Sequence, residues 1–205
     1  MTKYYIIVSL LIILHSCSNN DNQPVANTDV EIVEKKTDSF FPVTSFIKGQ
    51  IITLDSLPVT PLQITVIKNK VDSAWIPKEN LKPLLLPFLT PVISESNFTK
   101  YFKEISFNDQ TLNTITFTYD PIGVIPDSIT LRHWDVYVNP ETERVVKVYL
   151  VKSIKDNGQV YTQQLTWQTN KSAKISTILN KPDGNMELLK EVFFIWDFTP
   201  SPKKE

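Results

Sequence analysis

The sequence predicts an α+β fold, with N-terminal helices packed on a curved antiparallel β-meander of about five to eight strands. Three observations lead there. Apolar residues recur at helical spacing in 43–55 and again in 78–93. The second half of the chain alternates in short runs rich in β-branched and aromatic residues. Those runs are separated by turn sequences too short for a parallel crossover, so neighbouring strands must run antiparallel.

The elements follow in order. Val43, Phe46, Ile47, Gln50, Ile51 and Leu54 share a helical face, Pro42 precedes them, and Asp55-Ser56-Leu57-Pro58 ends the run, with Gly49 as its weak point. Leu62 to Lys68 and Val71 to Ile76 read as two short strands about an Asn69-Lys70 turn. In the second helical window Leu81, Leu84, Leu85, Phe88, Leu89 and Val92 recur, but Pro83 and Pro87 interrupt them. An interior proline costs about 3 kcal/mol, so a kinked or interrupted helix is expected. Strands are then placed over 111–119, 130–138, 144–154, 159–168, 173–179 and 187–197. Trp134, Val136 and Val138 fall on one face of the second of these. Asn139-Pro140-Glu141-Thr142-Glu143, Lys155-Asp156-Asn157-Gly158 and Pro182-Asp183-Gly184-Asn185 supply turns. Phe193-Phe194-Ile195-Trp196 is apolar on both faces, which predicts a strand covered from both sides.

Composition narrows the function classes. The chain has 205 residues and a net charge of −1, so it lacks the basic excess that nucleic-acid binding requires. Four glycines leave no glycine-rich phosphate cradle, and a single cysteine excludes a disulfide framework or a multi-cysteine metal site. About 160 residues between 40 and 198 are enough to bury a stable core without disulfides.

The N-terminus carries the sharpest signal. Met1-Thr2-Lys3 is a short positive start, and Tyr4 to Leu14 is an apolar run. A membrane-spanning helix needs about 20 apolar residues, so this run fits a secretory signal instead. Leu14-His15-Ser16-Cys17 resembles the bacterial lipobox, with His15 departing from the usual small residue. The resemblance implies cleavage before Cys17, a thioether to diacylglycerol at its sulfur, and acylation (palmitate) of its new amine. Ser18 at the following position implies the outer membrane, with the periplasmic or surface face left open. Ser18 to Ser39 contains no aromatic residue and is rich in Asn, Asp, Glu and Lys, so it reads as a flexible tether spanning roughly 25 Å. A competing reading gives Val30-Glu31-Ile32-Val33 to an edge strand. The expected organisation is a lipoprotein signal peptide over 1–16, lipidated Cys17 and tether over 17–39, one α+β domain over 40–198, and a disordered tail over 199–205.

The Phe46-Ile47-Lys48-Gly49-Gln50 helix, the Tyr101–Asp109 stretch, the Asn139-Pro140-Glu141-Thr142 turn and the Leu165-Thr166-Trp167 strand resemble segments of Bacteroidetes-type envelope lipoproteins. The resemblance spans Phe40 to Trp196 and implies an envelope location and a shared domain. That group has no established activity, so it implies no functional residue.

Cys17 is assigned to lipid, and His133 is the one imidazole after cleavage. There is no G-x-S-x-G, no histidine pair for zinc and no twelve-residue calcium loop, and neither a catalytic residue nor a metal or other cofactor is expected. His133 and Asp135 point to one strand face with Leu131 and Tyr137. They would suit acid–base chemistry or proton sensing, but the favoured reading is a solvent face behind Trp134. Asp120 and Asp127 would suit a carboxylate pair, but acids beside Pro and Ser are ordinary turn-makers. Trp75, Trp134, Trp167 and Trp196 are assigned to core in preference to the lining of a pocket. The expected function is therefore a membrane-anchored, non-catalytic binding or assembly module, with an envelope protein or an apolar ligand as partner. The alternatives are a carrier of an apolar ligand and a carboxylate-dependent hydrolase acting on envelope glycans.

Overall fold

The computed structural model describes residues 39–109, 111 and 113–197. Cys17, the signal peptide, nearly all of the tether, the alternative strand at Val30–Val33 and the C-terminal tail lie outside them.

Helix α1 runs Val43–Ser56. Val43, Ile47, Ile51 and Leu54 form its buried stripe, the i, i+4, i+8, i+11 pattern of an amphipathic helix. Pro42 has no side-chain acceptor for the first N–H groups. The start of the helix is tied instead to a neighbouring segment: the Thr44 N–H donates to the Ile93 carbonyl at 3.2 Å, and the Ile93 N–H donates to the Thr44 hydroxyl at 2.8 Å.

Strands β1 (Leu62–Ile67) and β2 (Lys70–Trp75) form a hairpin. Its turn falls on Lys68 and Asn69, both at positive φ, one residue earlier than the sequence suggested. That conformation matches strand twist in a two-residue turn and suits asparagine. Helix α2 follows as Lys78–Leu89 and runs through both Pro83 and Pro87. Burial of Leu81, Leu85 and Phe88 offsets the hydrogen bonds that the prolines cannot make.

The remaining strands are β3 (Phe102–Asp109), β4 (Thr114–Pro121), β5 (Leu131–Asn139), β6 (Arg144–Asp156), β7 (Gln159–Gln168), β8 (Ser172–Asn180) and β9 (Met186–Ile195). Among the described residues nine strands form one antiparallel sheet in the order β2-β1-β9-β8-β7-β6-β5-β4-β3. Strands β3 to β9 are a meander, and β9 returns to pair with β1.

This corrects the α+β expectation of helices on a five-to-eight-stranded meander. Half of the described residues are strand and 17% are helix, so the fold is predominantly β, with two short helices. Two strand relations were hidden. The β3 segment interleaves Lys103, Glu104, Ser106 and Asn108 with its apolar residues and shows no clean alternation. The β1–β2 hairpin, separated from the meander by α2 in sequence, joins it only through the last strand.

One face of the sheet is buried. Trp134 and Val136 on β5, Val148 and Leu150 on β6, Leu165 and Trp167 on β7 and Phe194 on β9 are all at most 1% exposed. Two ring clusters organise this face. Trp134 stacks on Tyr119 with centroids 4.5 Å apart and meets Phe102 at 4.7 Å and Phe40 at 5.9 Å. Trp167 meets Phe88 of α2 at 5.4 Å and Trp196 at 5.2 Å. Three tryptophans are thus core, whereas Trp75, on edge strand β2, is 61% exposed. On β9, Phe194 is buried and Phe193 and Ile195 on the opposite face are half-buried, with the Lys174 ammonium 5.0 Å from the Phe193 ring centroid. Among the described residues no helix is long and apolar enough to cross a membrane.

The packing sets an energetic contrast. Trp134→Ala should cost about 3–5 kcal/mol, as large-to-small changes at sealed aromatic sites do. Trp75→Ala should cost under about 1 kcal/mol, because its site is open to solvent. Urea unfolding of the two variants checks both values.

Candidate functional site

Two places bring polar chemistry together, on opposite faces of the sheet. The first lies behind Trp134. Alternation along β5 sends His133, Asp135 and Tyr137 away from the core side of Trp134 and Val136. On β4, Thr118 lies directly across from Asp135, and Asp120 is two residues further along the same face. The antiparallel register therefore assembles a cluster from two separate stretches of sequence.

The imidazole of His133 is clamped between two carboxylates. Its Nδ1 lies 2.8 Å from Asp120 Oδ1, and its Nε2 lies 3.1 Å from Asp135 Oδ2. Asp135 also accepts hydrogen bonds from the Thr118 hydroxyl at 2.7 Å and the Tyr137 hydroxyl at 3.2 Å. The hydrogen bond to Asp135 raises the His133 pKa to about 9, against burial, with Asp120 adding to the rise. Burial pushes the Asp135 carboxyl up, but the hydrogen bonds from His133, Thr118 and Tyr137 outweigh it and leave the group below its ordinary value.

The consequence is chemical. At neutral pH His133 is an imidazolium with both N–H groups donated, so it has no lone pair to act as a base, a nucleophile or a metal ligand. The triad Asp120–His133–Asp135 is a structural ion cluster that ties β4 to β5. Asp127 does not join Asp120; its Oδ2 pairs with Lys155 Nζ at 2.7 Å. Among the described residues no group of three or more His, Cys, Asp or Glu side chains is placed to hold a metal ion.

The second place lies on the helix-covered face, along α2. Alternation on β6 turns Val148, Leu150 and Lys152 toward the helices, and Lys152 is 4% exposed. Its ammonium donates hydrogen bonds to the carbonyls of Pro87 and Thr90, at the C-terminal end of α2. The cause is local: in a continued helix the Pro87 carbonyl would accept the N–H of residue 91, but residue 91 is proline. The lysine supplies the missing donor, and a cation there suits the negative end of the helix dipole. Burial lowers the Lys152 pKa to about 8, with no charged partner contributing.

A cavity of about 530 Å³ opens beside Lys152, lined also by Leu86, Pro91, Thr130, Ile154 and Gln163. A second cavity, of about 460 Å³, lies between α1 and α2 and is walled by Ile51, Ile52, Pro83, Leu86 and Leu89, with Lys48 and Lys82. Leu86 lines both, so the two adjoin along α2. Lys82 is paired with Asp55 at 2.6 Å.

The sequence paired His133 with Asp135 but favoured a solvent face for them, whereas Asp135 is buried, and it set Asp120 apart with Asp127 as a turn-maker, whereas Asp120 joins His133. It missed Lys152 and the cavities. One signal was available: in Val146–Val148–Leu150–Lys152–Ile154 a lysine takes an inward position in an otherwise apolar alternation. Leu86 and Ile52, 53% and 68% exposed, fall off the buried stripes of their helices. Comparison of the chain with protein-family models, with curated proteins and with solved structures gave no match.

The ion cluster makes stability depend on pH. A histidine whose pKa is raised in the folded state, here from 6.5 to about 9, contributes its full stabilisation below pH 6.5 and loses it as pH rises through 9. The upper bound is about 3 kcal/mol, and the part-exposed ring reduces it by solvent screening. The stability difference between wild type and His133→Gln should therefore be largest near pH 6 and shrink by pH 9.5 in urea titrations. A difference that does not change with pH would remove the ion cluster from the account.

Proposed function

We propose that this protein is a lipid-anchored module of the bacterial envelope that binds an apolar ligand along helix α2 and performs no catalysis. The observation that carries the binding role is the wall of Ile51, Ile52, Pro83, Leu86 and Leu89 between the two helices. Apolar concavities with few polar groups are the usual form of a site for an apolar small molecule. Burial of a methylene contributes about 0.8 kcal/mol, so an alkyl chain of modest length gains several kcal/mol on entering such a groove.

The anchoring role rests on the lipobox resemblance at Leu14–Cys17. A single acyl chain holds a protein only marginally, whereas two or three chains make attachment effectively permanent. In this reading Cys17 carries the chains, the outer membrane is the location, and the tether lets the domain reach its ligand. The clamped state of His133, with both nitrogens engaged, argues for a non-catalytic role over a hydrolytic one at that cluster.

Each half has its own test. Cys17→Ala should move the protein from the membrane to the soluble fraction; retention of the variant on membranes in high salt would defeat the anchor. Leu86→Asp should weaken binding of an apolar fluorescent probe at least tenfold while leaving the unfolding midpoint nearly unchanged, because Leu86 is half-exposed and its loss opens no sealed core. Equal probe binding by both proteins would defeat the groove.

A further inference from the structure

We propose that the ligand is an amphiphile with a single carboxylate, its head held by the Lys152 ammonium and its chain passing over Leu86 into the groove between α1 and α2. This rests on the groove reading above and assigns the chemistry of the ligand's head.

The reasoning starts from the lysine. An ammonium has three N–H donors, and the Pro87 and Thr90 carbonyls take two of them. The third has no protein acceptor among the described residues, and Lys152 lines the cavity. A buried cation held only by carbonyl dipoles lacks a counter-charge. Its desolvation is uncompensated, which is why its proton is held less tightly than usual. An anion entering the cavity meets that charge where solvent screening is weakest.

The surroundings select the kind of anion. One buried positive charge balances one negative charge, which suits a carboxylate better than a phosphate carrying up to two. Gln163 and Thr130, on the same cavity wall, bring an amide and a hydroxyl that can serve a second carboxylate oxygen. The rest of that wall is Leu86, Pro91 and Ile154, so the atoms next to the carboxylate must be apolar. Leu86 then leads to the second cavity, where Ile51, Ile52, Pro83 and Leu89 offer an alkyl chain its surface. On this second wall Lys82 is already paired with Asp55, and Lys48 adds a positive charge that favours an acid over an amine there.

Decanoate and decanol differ in the head and share the chain, so they separate the head assignment from the groove. Calorimetric titration of both into the delipidated full chain at neutral pH is the test. Wild type should bind both. Lys152→Met should weaken decanoate at least thirtyfold and change decanol less than threefold. Because the methionine variant leaves two helix carbonyls without a donor and could unfold, a second measurement uses wild type alone. The nitrogen-15 resonance of the Lys152 ammonium should move on adding decanoate and stay in place with decanol. Equal decanoate affinity in wild type and variant, or an unmoved ammonium resonance at saturating decanoate, overturns the carboxylate assignment while the groove stands. Failure of wild type to bind either compound overturns the groove reading itself, and the head assignment with it.

Discussion

The structure depends on covering one face of a nine-stranded sheet with very little helix. The two helices have 14 and 12 residues, and the face beneath them spans β3 to β9. Large rings solve the problem. Trp134 and Trp167 stand at two centres of the sheet, and each gathers aromatic residues from outside its own strand: Phe40, Phe102 and Tyr119 at the first, Phe88 and Trp196 at the second. Aromatic side chains bring the most buried area per residue, so a few of them replace a longer helical layer. The Tyr119 hydroxyl accepts the Phe41 N–H at 3.3 Å, which fastens the approach to α1 to the ring cluster below it.

The ends of the helices show the same economy. Neither N-terminus has a side-chain cap, and both helices stop where lysines meet their free carbonyls. Lys78 donates to the carbonyls of Asp55 and Leu57 at the end of α1, and Lys152 donates to those of Pro87 and Thr90 at the end of α2. The two caps differ in setting. Lys78 and its partners lie near solvent, where the charge remains hydrated. Lys152 is buried, so the same chemistry leaves a charge without a counter-ion, next to a cavity. A cap that costs little at one helix end becomes a recognition element at the other.

The opposite face follows another rule. There the strands present Thr, Gln, Lys, Tyr and acidic residues, and ions pair across neighbouring strands: His133 of β5 with Asp120 of β4, beside its same-strand pair with Asp135, and Lys174 of β8 with Glu191 of β9, to which Ser176 also donates at 3.0 Å. Cross-strand pairs of this kind favour one register over its neighbours, because a one-residue slip would send every side chain to the wrong face. The polar face therefore keeps the aromatic face aligned.

By itself the sequence determined what local chemistry determines. Helical spacing marked α1, alternation marked β5 to β9, and Asn157-Gly158 marked a turn where both residues take positive φ. It also assigned all four tryptophans to the core, which holds for Trp134, Trp167 and Trp196 but not for Trp75, because an edge strand leaves its ring open to solvent. Tertiary structure decided the rest. The charged and polar residues of β3 make an edge strand only because β4 is there to pair with it, and the β1–β2 hairpin enters the sheet only because the last strand comes back to meet it. Packing against the sheet kept α2 helical through two prolines that local propensity would have used to break it. The same packing buried Lys152, whose character as an uncompensated cation depends on residues 60 or more positions away in the chain. Spacing along a chain records which face a side chain takes; which distant groups share that face is settled by strand order, and strand order is a property of the folded whole.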